Sequence, residues 1–386
     1  MVTVAPALPL TPRPALPFVR YLGPNWYATV MGTAVVGTAG AALPVHPPGL
    51  RPACTALWAL SLILLVTLLT ARALHWRHHR DRARADLLDP AAAPFYGCLA
   101  MALLAVGAGA LSVGRDWLGT GPAVVLDAVL FGAGTVVALA AAVGVPYLMA
   151  VRHHGAEPTP VWLLPLVAPM VSAASGPALV PYLPPGQARA TLLLACLALF
   201  GLSLLATLAL LPVVFGRLLT GGPLPPALTP ALFLVLGPLG QSTTAVGRFA
   251  EAAPGAVPGP EARAFAVFAV LYGVPVMGFA LLWLCLAGAQ VARARREGMC
   301  FTMTWWAFTF PVGTCVTGAA VLARHTGLVA FAVLSVALYA VLVAAWGVVA
   351  ACTVRGLLSG ALPAGPRPVP AAPRRARGRT RSAAVR

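Results

Sequence analysis

Apolar runs of roughly twenty to thirty residues, parted by short stretches bearing arginine, proline or glycine, fill most of the chain. A run of ~20 apolar residues crosses ~30 Å of hydrocarbon. By that measure, spans fall at about 25–44, 52–74, 94–113, 121–150, 160–181, 188–216, 227–247, 262–290, 302–323 and 326–354. The pattern predicts ten transmembrane helices. Their character alternates: odd-numbered runs such as MGTAVVGTAGAAL and FTFPVGTCVTGAA are interrupted by Gly, Pro, Ser and Thr, whereas even-numbered runs such as TLLLACLALFGLSLLATLALLPVVFG are long and smooth. The interrupted runs begin near 25, 94, 160, 227 and 302, a period of roughly 65 to 75 residues, so the repeating unit is a helical hairpin.

Small and hydroxylic residues let helices approach closely or line water, while uniformly apolar helices suit lipid. The economical arrangement puts the five interrupted helices inside and the five smooth ones outside. The expected fold is an all-α integral membrane protein of five hairpins, arranged with pseudo-five-fold repetition around a central lumen. Proline is tolerated within the membrane where the freed carbonyl is shielded by protein or meets water. Pro165, Pro169, Pro238 and Pro311 are accordingly expected to kink inner helices. In the ninth run, Phe310 shares a helical face with Gly313, Thr314 and Thr317, so one bulky ring interrupts a small, mildly polar stripe. Taken alone, that stripe fits close packing as well as a plugged passage. Trp305, Trp306 and Phe308 are assigned to packing. The competing architecture is a solid bundle, a membrane enzyme or receptor-like protein without a pore.

Composition supports the membrane assignment: 60% of the residues are hydrophobic and 9% charged, against about 25% charged in soluble domains. The net charge of +17 lies between spans and in the tails, so it reports topology and not nucleic-acid binding. All 26 basic residues are arginine. With the amino terminus inside, 20 of them fall on the cytoplasmic side and 6 outside, which predicts a multi-pass protein of the cell membrane with both termini cytoplasmic. The expected domains are a tail over 1–22, holding five prolines and no cleavable hydrophobic core, a membrane domain over 23–356, and a basic disordered tail over 357–386 able to touch anionic lipid.

Without lysine no phosphate-binding GxxxxGK[ST] loop exists, so ATP-driven transport by this chain alone is excluded. The seven cysteines are scattered, and the pairs His78–His79 and His153–His154 are chain neighbours that cannot share a helical face, so neither metal nor cofactor is expected. Asp81, Asp86 and Asp89 sit among arginines and read as a solvated face. Asp127 is the one acid inside a span; it is a candidate proton-coupling group, although its place in an outer helix favours a structural role. Thr33, Thr38, Ser172, Ser175, Gln241, Ser242, Thr314 and Thr317 are candidate lining residues, since hydroxyls and amides replace part of an anion's hydration without trapping it. Arg248, at the end of the seventh run, is placed to raise the anion concentration at a pore mouth.

Several motifs carry a family resemblance. GPNWYATVMGTAVV is similar to the P-x-W-F/Y-x-x-x-M-G-T-G pattern, with Ala34 at the usual last glycine; PFYGCLAMALLAVGAG, TPVWLLPLVAPMVSAASG, LGPLGQS and WWAFTFPVG follow on alternate runs. The chain thereby resembles the tellurite-resistance/dicarboxylate transporter family, which includes plant slow anion channels, malate permeases and fungal sulfite efflux pumps. The resemblance covers Leu22 to Arg355. It implies ten helices around an uncharged pore, usually a homotrimer, moving small inorganic or dicarboxylate anions without ATP. It also implies that a phenylalanine occludes the pore, at Phe310 and not Phe308. The motifs of the first and fifth runs, GPNWYATVMGTAVV and TPVWLLPLVAPMVSAASG, lean toward the malate and sulfite branch.

Overall fold

A computed structural model describes residues 20–152, 157–360 and 362. Most of the two tails, and His153 and His154, lie outside the described residues. Among the described residues there are ten helices of 13 residues or more and no strand. They are α1 (Tyr27–Ala42), α2 (Leu50–His78), α3 (Tyr96–Gly109), α4 (Thr120–Arg152), α5 (Leu163–Ser175), α6 (Gln187–Thr220), α7 (Leu236–Ala252), α8 (Gly259–Arg296), α9 (Phe310–Thr326) and α10 (Val329–Leu358). Eight helical segments are long and apolar enough to cross a membrane, by length and composition. α1 and α7 are not among these eight, and α7 carries Arg248 and Glu251.

The hairpin period reappears in the local geometry. Each odd-numbered helix is preceded by a 3-10 segment: Pro24–Trp26, Ala93–Phe95, Pro160–Trp162, Thr229–Val235 and Met303–Phe308. Proline stands at an opening position of the first four, where its missing N–H has no helical partner to lose. On the return side, Gly49, Gly119 and Gly186 immediately precede α2, α4 and α6 with φ of 86°, 82° and 92°, and Gly327 at 69° precedes α10 by two residues. Side chains rarely adopt that left-handed conformation, which reverses the chain tightly. α3 continues through a π-helical stretch, Ala110–Gly114, into a last turn, Arg115–Leu118.

Packing follows the alternation read from the sequence. α1 touches α3, α3 touches α5, α5 touches α7, α7 touches α9, and α9 returns to α1, closing a cycle. Each even-numbered helix lies on its hairpin partner and on the next helix of that cycle. In the apolar windows of the outer helices only 17–33% of the residues are buried, against 83–89% for the segments containing α3, α5 and α9. The exposed residues of the outer helices include Ile63, Val136, Leu205 and Leu271, a surface suited to lipid tails. Glycine at two inner contacts sets the helix spacing. A Cβ at Gly240 would stand 2.5 Å from Thr314 and Cys315 backbone atoms of α9, and one at Gly97 the same distance from the Leu164 carbonyl of α5.

Side chains of the outer layer bond backbone carbonyls of the inner layer. Trp58 Nε1 of α2 donates to the Val106 carbonyl ahead of the π segment (2.9 Å), and Trp283 Nε1 of α8 to the Leu232 carbonyl in a 3-10 stretch (2.9 Å). Ser203 Oγ of α6 donates to the Leu166 carbonyl of α5, 2.6 Å away. In hydrocarbon no water could take these places. At the far end from the Gly49-type turns, buried Arg72 donates to the Leu22 carbonyl (2.6 Å) and the Tyr96 hydroxyl (3.0 Å). Asp86 departs from the solvated face expected of it: it is 8% exposed and lies 3.2 Å from Arg82 and 4.0 Å from Arg72, because the helix Arg80–Leu88 folds back toward α2.

Candidate functional site: a cavity that ends at Phe310

All five inner helices contribute to one cavity of about 410 Å³. Val35 and Thr38 of α1, Ala105 and Ala108 of α3, and Ala174 and Ser175 of α5 form one part of its wall. Gln241 and Thr244 of α7 and Phe310 and Thr317 of α9 form the rest, and Arg51, Arg115 and Arg248 stand at its rim. At its closed end is Phe310, 4% exposed.

Phe310 is placed there by a change of helix type. The 3-10 segment Met303–Phe308 is finished by Thr309, whose hydroxyl donates to the Trp306 carbonyl (2.7 Å), and α-helical geometry starts at Phe310 with Pro311 in its first turn. Trp306 is anchored by its indole N–H on Thr353 Oγ1 of α10 (3.1 Å), and Phe308 lies edge-on to Phe233 at 4.9 Å. Pro165 and Pro238 stand likewise in the first turns of α5 and α7, next to 3-10 segments, while Pro169 lies inside α5.

Beyond Phe310 the interior narrows to a space of about 10 Å³ among Met31, Met101, Leu164, Val167 and Leu234, then one of about 20 Å³ between Met31, Leu164, Leu234 and Met303. Such volumes hold one water at most, and apolar walls give it no hydrogen bond. Phe310 lines both the large cavity and the first of these spaces. One ring therefore stands between a polar-rimmed vestibule and a dry, apolar constriction.

Of the residues picked from the sequence, Thr38, Ser175, Gln241, Thr317, Arg248 and Phe310 meet at the large cavity. Thr33, Ser172, Ser242 and Thr314 do not line it. Thr33 Oγ1 accepts the Trp346 indole N–H of α10 (3.1 Å), and Ser172 Oγ accepts from Thr135 of α4 (3.0 Å). Thr314 donates to the Pro311 carbonyl (2.7 Å), and Ser242 to Leu239 (3.1 Å). Asp127 is 1% exposed with Oδ2 free of any hydrogen bond; it lies against Gly107 on the side of α3 away from Ala105 and Ala108.

Hydroxyls that do reach the cavity are engaged elsewhere. Thr38 donates to its own helix, Ser175 to the Val171 carbonyl (2.9 Å), and Thr317 to Thr314 (3.0 Å) while also 2.8 Å from Thr244 Oγ1. A hydroxyl has one hydrogen, so what it then offers the lumen is a lone pair. The Gln241 amide, a neutral donor of the wall, makes no side-chain hydrogen bond among the described residues.

Arg51, Arg115, Ser112 and Thr244 were not anticipated from the sequence. Arg51 forks onto Asp116 (2.7 and 2.8 Å), tying the start of α2 to the turn that ends α3. Arg115 forms no ion pair among the described residues and lines the same cavity. A second space of about 400 Å³ adjoins it, sharing Ala41, Ala42 and Arg248 and bounded also by His46, Glu251 and Arg324. Glu251 Oε1 accepts both Nε and Nη2 of Arg324 (3.1 and 2.8 Å), and Oε2 accepts Arg248 Nη1 (3.0 Å). Among the described residues no group of three or more His, Cys, Asp or Glu side chains is placed to hold a metal.

Known proteins agree with an anion-handling membrane protein. The chain is 27% identical over 343 residues to a sulfite efflux pump of Arthroderma otae, covering 86% of this chain and 89% of that one. A sulfite efflux pump of Trichophyton rubrum matches with the same identity and coverage. An uncharacterized transporter of Methanocaldococcus jannaschii is 26% identical over 79% of this chain and 84% of its own. The voltage-dependent anion channel (SLAC1) family matches residues 21–354, the whole hairpin region, and the chain belongs to that family.

Proposed function

We propose that this protein carries small anions, sulfite or a C4-dicarboxylate such as malate, down their electrochemical gradient along the axis of the inner helix cycle, without ATP. In this reading α1 and α7 also cross the bilayer, giving ten spans as five hairpins in pseudo-five-fold order around the pore. The observation that carries it is the vestibule to which every inner helix contributes and which stops at a single aromatic ring. Phe310 is the occluding residue, and the apolar constriction beyond it excludes hydrated ions until it widens. Rim arginines concentrate anions, while the Gln241 amide, and hydroxyls that turn from their helix carbonyls, supply hydrogen bonds inside. Among the described residues no cation stands deep in the wall, which keeps binding weak enough for release.

The arginine asymmetry supports a cell-membrane protein with both termini cytoplasmic, which puts the Arg248 vestibule outside. A homotrimer is the assembly proposed, on family resemblance. Similarity to sulfite efflux pumps favours sulfite and outward movement. The test is flux of malate, sulfite, nitrate and chloride in proteoliposomes. Phe310→Ala is expected to raise flux severalfold, and a folded variant with unchanged flux would remove the gate assignment.

A second reading, proton-coupled export, is favoured by one observation, the buried Asp127 carboxylate with a free oxygen. The α3 backbone separates it from the vestibule, so the channel-like reading is preferred.

A further inference from the structure

We propose that Arg248 and Arg324 form an oxyanion-binding subsite at the vestibule mouth, and that Glu251 is its resident occupant, displaced by each anion that enters or leaves. This rests on the anion-transport reading above and adds a site to it.

The geometry is that of carboxylate recognition. Arg324 presents Nε and Nη2 together to one oxygen of Glu251, and Arg248 presents Nη1 to the other, at 2.8 to 3.1 Å. The guanidinium fork matches a carboxylate, and equally the oxygens of sulfite. The three side chains come from facing helices, α7 and α9, and border the space that adjoins the main cavity through Arg248. Each of the three is about one-third to two-fifths exposed, so the pair is wet and exchangeable. Arg51, by contrast, is bound to Asp116, which borders neither space.

A carboxylate facing an anion path repels the substrate unless the site uses it. Glu251 keeps two mouth arginines charge-paired between transport events. An arriving oxyanion takes over the same donors while Glu251, attached to the helix that carries Arg248, turns aside. Binding at the mouth is thereby weakened, which speeds the anion's exit from the same place. Removing the resident carboxylate should tighten the subsite, and removing Arg324 should loosen it. A network that merely pins α7 to α9 would respond to both changes in the same direction.

The experiment measures initial rates of radiolabelled malate and sulfite uptake against concentration, in proteoliposomes of wild type, Glu251→Gln, Arg324→Gln and Arg324→Lys. Equilibrium binding of both anions to the detergent-purified proteins is measured alongside. An exposed charge pair is worth up to ~1 kcal/mol, about a fivefold change in affinity. Glu251→Gln is expected to lower the half-saturating concentration about fivefold, Arg324→Gln to raise it by a similar factor, and Arg324→Lys to fall between wild type and Arg324→Gln. Preference of the tightened site for malate or for sulfite identifies which oxyanion it fits. Shifts of the same sign in Glu251→Gln and Arg324→Gln, or none while the wild type transports, overturn the subsite. If the wild type transports no anion, the binding arm decides: tighter binding by Glu251→Gln keeps the subsite while the transport reading falls, and unaltered binding removes both.

Discussion

Gly240→Ala tests the contact on which the inner cycle depends. The added methyl would lie 2.5 Å from the Thr314 carbonyl carbon, the Thr314 hydroxyl and the Cys315 nitrogen. Non-bonded carbons settle at about 3.5–4.0 Å, so α7 and α9 would have to part by about 1 Å. Two of those atoms are backbone, and no rotamer change relieves them. Overpacking costs about 1–3 kcal/mol, and a rigid backbone contact belongs in the upper part of that range. The better helix propensity of alanine returns about 1 kcal/mol, leaving a net loss of about 2 kcal/mol. Gly278→Ala, on α8 with nothing within 4 Å, is the control and should be neutral or slightly stabilising. The assay is the midpoint of thermal unfolding for purified protein in one detergent. The midpoint should fall by several degrees for Gly240→Ala and hold or rise for Gly278→Ala. A Gly240→Ala midpoint at or above wild type would refute the close approach of α7 and α9.

Leu164→Ala, which widens the constriction next to Phe310, should raise anion flux further when combined with Phe310→Ala than the single change does; equal flux would leave Phe310 as the whole barrier. Asp127→Asn keeps the shape and removes the charge of a buried, partly unbonded group, so flux with and without a pH gradient should match wild type, whereas lost coupling would establish the proton-driven reading. Trp58→Phe removes the 2.9 Å indole bond to the Val106 carbonyl, which keeps the Ala110 amide as a donor, and should cost about 0.5–1.5 kcal/mol, read as a lower melting midpoint; an unchanged midpoint would mean that the indole bond adds nothing to stability.

The inner and outer layers were legible because lipid exposure and helix contact demand different residues, and that difference recurs with each hairpin. The lining was legible only in part. Successive residues turn ~100° on an α-helix, so Thr33 and Thr38, five apart, point ~140° from each other and cannot both face one lumen. Phe310 and Thr317, seven apart, do share a face, and both line the cavity. The 3-10 segments and the π stretch in α3 shift the phase further, which a uniform projection does not register. Arg51 and Arg115 lie far apart in sequence from Arg248, and counting them as loop charges concealed that hairpin repetition returns them to the same rim. Asp86 looked solvated because its partners Arg72 and Arg82 flank a fold-back that leaves no periodic trace.

The phenyl ring at the end of the vestibule has a consequence for electrical behaviour. Work done by a membrane potential is ~2.3 kcal/mol per elementary charge per 100 mV, and a neutral ring that swings aside moves no charge through that field. If rotation of Phe310 opens the path, the gating step itself is blind to voltage. Voltage dependence of the current would then come from the permeating anion and from the arginines at the mouth, and it would follow the concentration and valence of the ion, not the frequency with which the ring turns.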